Sequence, residues 1–577
     1  MTFSMKTRTT EIEQLKTEKL DLLVIGGGIT GAGIALQASA AGMKNALIDM
    51  QDFSAGTSSR STRLVHGGIR YLKTFDVEVV AETSQERAAI QHIAPHVTRP
   101  KPMLMPIYDE PGTTFTMFSV KVAMDLYDRL AGINDSDYLN KYANYTLDKA
   151  QVLDLEPQLN SDKLVGGGVY LDYLNNDSRL VIENIKKAHD LGGIMVSHLK
   201  AVEILHDETG SVRGVKVEDM ITREQFDILA KVVINAAGPW SDLVKDLDDQ
   251  HDASHSQMRP TKGVHLVVDQ SRLKVPQPTY FGSGTNDGRM IFTIPRDGKT
   301  YFGTTDTDYS GDLTDPKVDQ DDVDYLLAII NKKYPTAKLT IADVESSWAG
   351  IRPLIVEKTA ESEVDAVSGA SNAGNDTAAS AVSRGSSLKQ AHDGLITLAG
   401  GKLTDYRKMA DGAMKLIVKI LNQQFAGKFK TVDSSEIQVS GGDFDSTNAE
   451  NILNEYVQDV MKHGINAKEA QRLVHLFGTN YRQIIEDIDN TQPAAGLSIA
   501  ETLCLRYSLN EEMTLTPGDY LFRRTNNLLF NHDHIKDLET GVIKEMSQYF
   551  GWSAAVTKFH QDQTDKLISE SELAYLK

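Results

Sequence analysis

Leu20-Asp21-Leu22-Leu23-Val24-Ile25-Gly26-Gly27-Gly28-Ile29-Thr30-Gly31 is the stretch on which the fold turns. Its first half is a short apolar strand. It runs into a glycine turn, and Ala32 to Gly42 continues as an alanine-rich helix. Asn45-Ala46-Leu47-Ile48 reads as a second strand ending at Asp49. Strand, glycine turn, helix and strand in that order make a complete βαβ unit. Gly26, Gly28 and Gly31 fill the G-x-G-x-x-G spacing, and Asp49 stands about 20 residues beyond, where an acidic residue is expected. Gly26 permits the tight turn, Gly28 lets a pyrophosphate approach the backbone, and Gly31 lets helix and strand pack closely. Ile29 and Thr30 open the helix, whose N-terminal N–H groups and positive dipole end suit phosphate. Asp49 can accept hydrogen bonds from ribose hydroxyls and repels a 2′-phosphate. The unit predicts a dinucleotide site.

FAD and NAD both satisfy that unit, and three further features favour FAD. Gly56-Thr57-Ser58-Ser59-Arg60-Ser61-Thr62 is dense in hydroxyls, so Thr57, Ser58, Ser59, Ser61 and Thr62 can donate to phosphate and ribityl oxygens. The strand ending Asn235-Ala236-Ala237-Gly238-Pro239-Trp240 offers Ala237 and Gly238, small enough for a cofactor to lie against backbone. Leu398-Ala399-Gly400-Gly401-Lys402-Leu403-Thr404 is a second strand–glycine-turn–helix unit. A helix N-terminus after Gly400 and Gly401, with Lys402, Leu403 and Thr404, could face the flavin N1/O2 edge. There Lys402 and the dipole would stabilise the reduced form.

The rest of the composition narrows the function. The 577 residues are enough for two or three domains. The formal net charge is −20, which argues against nucleic acid as a partner, because that needs a basic footprint. An anionic substrate remains compatible, provided that its site gathers cations locally. One cysteine, Cys504, excludes an intramolecular disulfide, a multi-cysteine zinc site and an iron–sulfur cluster on the chain. No metal ligand set is predicted. Neither a signal core nor a window of about 18 apolar residues is present, so the default location is the cytoplasm.

Seven stretches together resemble the FAD-dependent glycerol-3-phosphate dehydrogenase and α-glycerophosphate oxidase family, within the D-amino-acid-oxidase-like flavoproteins. They are Ile25 to Gly33, Gly56 to Leu72 (GTSSRSTRLVHGGIRYL), Asn235 to Trp240, Thr261 to Val268, Gly303 to Thr307, Ser346 to Leu354 and Ala399 to Met409. The resemblance covers residues 20 to 425, and the helical C-terminal pattern also fits. An insertion after the Arg-Pro-Leu motif, with Ala381-Val382-Ser383-Arg384-Gly385-Ser386-Ser387, is similar to the oxidase branch. The implied fold is α/β: a Rossmann-like FAD-binding domain interleaved with an antiparallel-sheet substrate domain, plus a C-terminal helical domain. Expected segments are a polar lead-in 1–19, FAD-binding 20–95, substrate 96–165, FAD-binding 166–258, substrate 259–345, FAD-binding 346–425 with a flexible insertion 357–391, and helical 430–577.

The activity implied by the resemblance is oxidation of sn-glycerol 3-phosphate to dihydroxyacetone phosphate, with FAD as hydride acceptor. Oxygen as final acceptor gives hydrogen peroxide. A quinone as acceptor would make a dehydrogenase peripheral to the inner face of the cell membrane. A flavin oxidase of amines or amino acids is the more distant alternative. The sequence leaves the oligomeric state open, a homo-oligomer included.

Such chemistry needs a base, cations for the phosphate and stabilisation of the reduced flavin. His66, beside Gly67 and Gly68, is the candidate base, because a neutral imidazole takes a proton near pH 7. Arg70 follows four residues later. Arg352 precedes Pro353, which favours extended backbone, and its guanidinium can fork onto phosphate or substrate oxygens. The catalytic candidates are His66, Arg352, Lys402 and Arg70. Arg70, Arg352, Arg384, Lys402, Tyr71 and Lys262 are the substrate-binding candidates. Thr304-Thr305-Asp306 is expected to shape the end of a hairpin strand, and Asp297-Gly298 between apolar runs predicts that hairpin.

Overall fold

The computed structural model describes residues 2–69, 77–110, 115–133, 137–248, 258–285, 287–355 and 385–577. The opening stretch forms the strand Lys19–Ile25, buried along nearly its whole length, followed by the helix Ile29–Ala40 and the strand Asn45–Ile48. Lys19–Ile25 pairs in parallel with Asn45–Ile48 on one side and with Gln225–Asn235 on the other. Ile194–Val196 and Ile396–Gly400 extend the parallel run at its two ends. A strand buried on both faces needs a continuous apolar run rather than alternation, which is what Leu22-Leu23-Val24-Ile25 supplies. The helices Ile29–Ala40, Asp177–Asp190 and Tyr406–Gln424 share one apolar cluster with this sheet.

The second sheet has ten strands among the described residues. Met258–Asp269 pairs antiparallel with Val344–Ile355 and with Lys299–Gly303. Met290–Arg296 and Lys299–Gly303 form the expected hairpin, and Asp297 and Gly298 turn it at φ +52° and +85°. Positive φ at both positions is the turn whose twist matches that of the strands.

Three boundaries differ from expectation. Leu164–Leu174 pairs with Arg99–Tyr108, so residues 166–174 belong to the antiparallel sheet rather than to the FAD-binding one. Val344–Ile355 also lies in the antiparallel sheet. Apolar content alone does not tell a strand which sheet to join. Within the expected insertion 357–391, Ser386–Gln390 is a strand paired with Ile396–Gly400, and 357–384 lies outside the described residues. The polar lead-in contains the helix Arg8–Thr17, whose Ile12 and Leu15 are buried and whose Arg8 Nη1 lies 3.0 Å from Asp219.

The expected helical region 430–577 contains the long helices Ala449–Lys462, Ala467–Phe477, Ile499–Glu511, Ile535–Phe550 and Ala554–Ser571. They share an apolar cluster with the antiparallel sheet through Tyr301, Trp348 and Phe530. Buried ion pairs tie them to the loop after Asn45–Ile48 and to the helix Asp177–Asp190. Asp52 accepts from Arg524 at 2.7 and 2.8 Å and from Arg523 at 2.5 Å. Glu512 accepts from Arg179 at 2.8 and 2.9 Å. Burial opposes the charge on Glu512, yet Arg179, Lys186 and Arg524 hold its carboxyl down to about 2.

Glu156 is the exception to this pairing. It is fully buried after the helix Lys149–Leu155, and neither carboxyl oxygen has a hydrogen-bond partner among the described residues. Burial pushes its carboxyl up to about 8. The folded chain therefore keeps this proton, whereas the unfolded chain releases it near 4.5. Stability from this group is full below the unfolded value and is lost as pH rises towards 8. Glu156→Gln should consequently melt a few degrees above the parent at pH 8.5 and show little or no advantage at pH 4.5, read by thermal unfolding across that range.

Candidate functional site

A cavity of about 880 Å³ opens between the two sheets. One wall is the βαβ unit. A Cβ on Gly31 would lie 1.9 Å from the Gly26 carbonyl oxygen, so only glycine lets the helix come this near the strand. Gly26 itself turns at φ +114°. The helix N-terminus thus reaches the cavity, with Gly28, Ile29 and Thr30 on its surface. Ser58 crosses to it, its Oγ accepting from the Ile29 N–H at 3.0 Å. Asp49 also lines the cavity. Its two oxygens accept from the Gly27 N–H at 2.7 Å and the Gln51 N–H at 2.8 Å. Burial outweighs these bonds and raises its carboxyl to about 6.

The floor comes from two strand ends. Asn235 Oδ1 accepts from the Ala237 N–H at 3.1 Å, and its amide donates to the Ser241 carbonyl at 2.8 Å. Those bonds hold Ala237 and Gly238 against the cavity. Gly400 and Gly401 turn at φ +79° and +75° before the helix Tyr406–Gln424. Lys402, Leu403 and Thr404 line the cavity just ahead of that helix.

The antiparallel sheet supplies the opposite wall. Arg352 faces Thr261 across the strand pair, and Gly350 faces Gly263. A Cβ on Gly263 would lie 2.3 Å from Arg352 Nη2, so this glycine is the space the guanidinium occupies. Nη1 donates to Asp306 Oδ1 at 3.0 Å, and Nη2 donates to Thr304 Oγ1 and the Thr305 carbonyl, both at 3.0 Å. Thr304 to Asp306 therefore does more than end a strand: it orients the arginine. His265 stacks on Trp348 at 4.8 Å, and burial pushes its imidazole well below the usual range, so it is neutral. His66 follows the strand Leu64–Val65 and lines the cavity, its ring centroid 5.9 Å from that of Phe292.

The cavity brings together Gly26, Gly28, Ile29, Thr30, Asp49, Thr57, Ser58, Ser61, Thr62, His66, Ala237, Gly238, Arg352, Gly400, Gly401, Lys402, Leu403 and Thr404. Gly31 packs behind this surface. Ser59 is buried away from it, with its hydroxyl 3.4 Å from the Gly56 carbonyl. Lys262 also points elsewhere. Its ammonium pairs with Asp319 at 2.5 Å and Asp322 at 2.7 Å. Alternate residues of a strand face opposite ways, so a lysine between Thr261 and Gly263 cannot share their side. Arg70, Tyr71 and Arg384 lie outside the described residues. Arg60, Gln51, Lys200 and the turn Gly311 to Thr314 line the cavity without having been singled out as site residues. Lys200 stands in the strand Leu199–His206, and the others come from connections whose sequence carries no periodic signal.

Size, glycine-lined backbone, a helix N-terminus and a carboxylate at the second strand suit a dinucleotide of FAD dimensions. Residues 21–407 match the FAD dependent oxidoreductase family, and residues 432–557 match the C-terminal domain of alpha-glycerophosphate oxidase. The chain is similar to the alpha-glycerophosphate oxidase of Enterococcus casseliflavus, 53% identical across 100% of this chain and 99% of that one. It is 48% identical to the alpha-glycerophosphate oxidase of Streptococcus pneumoniae, with both chains covered in full. Among solved structures, the glycerol-3-phosphate dehydrogenase of Bacillus halodurans complexed with FAD superposes with a TM-score of 0.80 at 35% identity. That match covers 99% of this chain and 98% of the other.

Gly31→Ala tests the cradle. The added carbon would force the helix off the strand and pull its N-terminus from the cavity. The purified variant should lack flavin absorbance, or lose its flavin on gel filtration, while the parent keeps it.

Proposed function

Because the chain belongs to the FAD-dependent oxidoreductases that carry an α-glycerophosphate oxidase C-terminal domain, we propose that it oxidises sn-glycerol 3-phosphate to dihydroxyacetone phosphate, with oxygen as the final acceptor and hydrogen peroxide as co-product. The observation that carries this reading is Arg352, a guanidinium braced by Asp306 and Thr304 on the wall opposite the dinucleotide cradle. Bound FAD supplies the two-electron acceptor for a hydride from the substrate's secondary carbon.

This chain's residues do the rest. Gly28, Ile29 and Thr30 receive the pyrophosphate at the helix N-terminus, and Asp49 accepts from ribose hydroxyls. Gly400 and Gly401 let the flavin approach the backbone. Lys402 and the N-terminus of the helix Tyr406–Gln424 place positive charge where negative charge gathers on reduction. Arg352 binds the substrate's phosphate, with Lys402 and, by resemblance, Arg70 and Arg384 as further cations. His66 Nε2 or Nδ1 takes the proton of the hydroxyl being oxidised. In a chain of net charge −20, these few cations focus attraction for a doubly charged substrate, which predicts affinity that weakens with salt.

Oxygen is favoured over quinone by the oxidases at 48–53% identity, against 35% for the dehydrogenase. Among the described residues, no helix is long and apolar enough to cross a membrane.

An anaerobic titration decides between acceptors. Glycerol 3-phosphate should bleach the flavin, and admitted air should restore the colour quickly with release of peroxide. Slow recolouring that only a quinone accelerates would sink the oxidase reading, and no bleaching at all would sink the substrate. Arg352→Ala should raise KM for glycerol 3-phosphate by about 10- to 100-fold and keep its flavin, as expected for loss of a charge-assisted fork. Gly263→Ala, which displaces the same guanidinium, should move KM in the same direction. His66→Ala should slow anaerobic flavin reduction by about 100-fold or more. An unchanged rate would remove it as the base.

A further inference from the structure

We infer that the buried cluster Tyr127, Asp172 and Arg87 is a positioning unit for His66, fixing the peptide that aims its imidazole into the cavity. The inference rests on the reading of His66 as the group that takes the substrate's proton.

His66 and Gly67 belong to no regular element, yet both peptide groups on either side of Gly67 are held by side chains from distant parts of the chain. Thr404 Oγ1 lies 3.3 Å from the His66 nitrogen and 3.2 Å from its carbonyl oxygen, placed to accept from one and donate to the other. Thr83 Oγ1 donates to the Gly67 carbonyl at 2.8 Å. The Gly67 N–H is met by the Tyr127 hydroxyl oxygen at 2.8 Å, with Asp172 Oδ1 beyond it at 3.3 Å. A Cβ on Gly67 would lie 2.6 Å from that hydroxyl, so the peptide sits directly on it.

The Tyr127 hydroxyl can accept from Gly67 only if its own proton points elsewhere. It points at Asp172 Oδ1, 2.8 Å away. Arg87 Nη1 donates to the same oxygen at 2.6 Å and to the Leu171 carbonyl at 2.5 Å. The Arg87 guanidinium also lies 4.2 Å from the centre of the Tyr127 ring. Each of the three residues is at most 2% exposed. The chain of donors thus runs one way: Arg87 keeps Asp172 an acceptor, Asp172 keeps Tyr127 pointing away, and Tyr127 is left to accept from the backbone beside His66.

Burying this pair is costly. An apolar cluster of similar volume would hold these elements together with less desolvation. Arg87 Nε and Nη2 have no hydrogen-bond partner among the described residues, so the arginine is far from fully satisfied there. What an apolar cluster could not do is accept the Gly67 N–H. A shift of about 1 Å in a group transferring a proton can cost about 100-fold in rate, which gives that single bond its importance.

The test uses the FAD-loaded enzyme and anaerobic stopped-flow reduction by glycerol 3-phosphate. Tyr127→Phe deletes one oxygen and keeps the ring beneath Arg87. Its limiting reduction rate should fall about 10-fold or more, at unchanged half-saturating substrate concentration and flavin content. His66→Ala and the double variant complete a cycle. If Tyr127 acts through His66, the double variant reduces no more slowly than His66→Ala alone. Asp172→Asn, which keeps an acceptor for the tyrosine proton, should retain more rate than Asp172→Leu. Tyr127→Phe at the parent rate, or losses that multiply independently in the double variant, would overturn the positioning role while leaving His66 as the base. His66→Ala at the parent rate would instead remove the reading of His66, and this inference with it.

Discussion

The helix Ile29–Ala40 can touch the first strand only because Gly31 has no side chain to collide with the Gly26 carbonyl. That contact sets the depth at which the helix begins and hence where its unpaired N–H groups and positive dipole end emerge. Asp49 and Ser58 fasten the same corner by bonding the backbone at Gly27 and Ile29. The neighbouring strand ends, at Ala237 and Gly400, then open onto one space because they are in parallel register with this strand or its partner. The cradle is thus a consequence of one close approach repeated into a sheet edge, and every other wall is placed relative to it.

The opposite wall obeys a different constraint. In an antiparallel pair, side chains alternate between faces, so Gly263 and His265 share the cavity with Gly350 and Arg352, and Lys262 is turned away. Glycine and arginine are complementary here, the one being the volume into which the other folds. Asp306 and Thr304 hold the guanidinium before any anion arrives, so less ordering remains to be done on binding. A chain with a large negative net charge concentrates cationic character at this wall and at Lys402. The helical C-terminal part stays fastened to the cradle through Asp52, Glu512 and their arginines. Those ion pairs cost desolvation, and removing one partner would strand its mate, a loss of about 3–5 kcal/mol.

Much of this was legible in the residues. Period and composition marked the βαβ unit, the Asp297-Gly298 hairpin and most of the C-terminal helices, since each is a local pattern with a local cause. Glycine spacing marked the three turns that line the cavity for the same reason. Legibility failed where partner choice mattered. Residues 166–174 read as a strand, but nothing in them states which sheet they join. Thr304 to Asp306 read as the end of a strand, and its hold on Arg352 depends on a residue 46 positions away. Lys262 could have been set aside from strand parity alone, once His265 and Gly263 were placed on the cavity side.

Local chemistry, then, was enough to establish a dinucleotide-binding α/β chain with a family resemblance carried by short motifs. A glycine's permitted φ, an apolar run and a helix-opening turn act over a few residues, so they are written where they act. The surroundings of His66 are of another kind. Tyr127, Asp172, Arg87, Thr83 and Thr404 reach its loop from several elements, and none lies within a local pattern that points to it. Hydrogen bonds between residues up to 338 positions apart exist only after both sheets and their helices have packed, because only burial brings such groups within hydrogen-bonding distance of one another and makes the bond worth keeping.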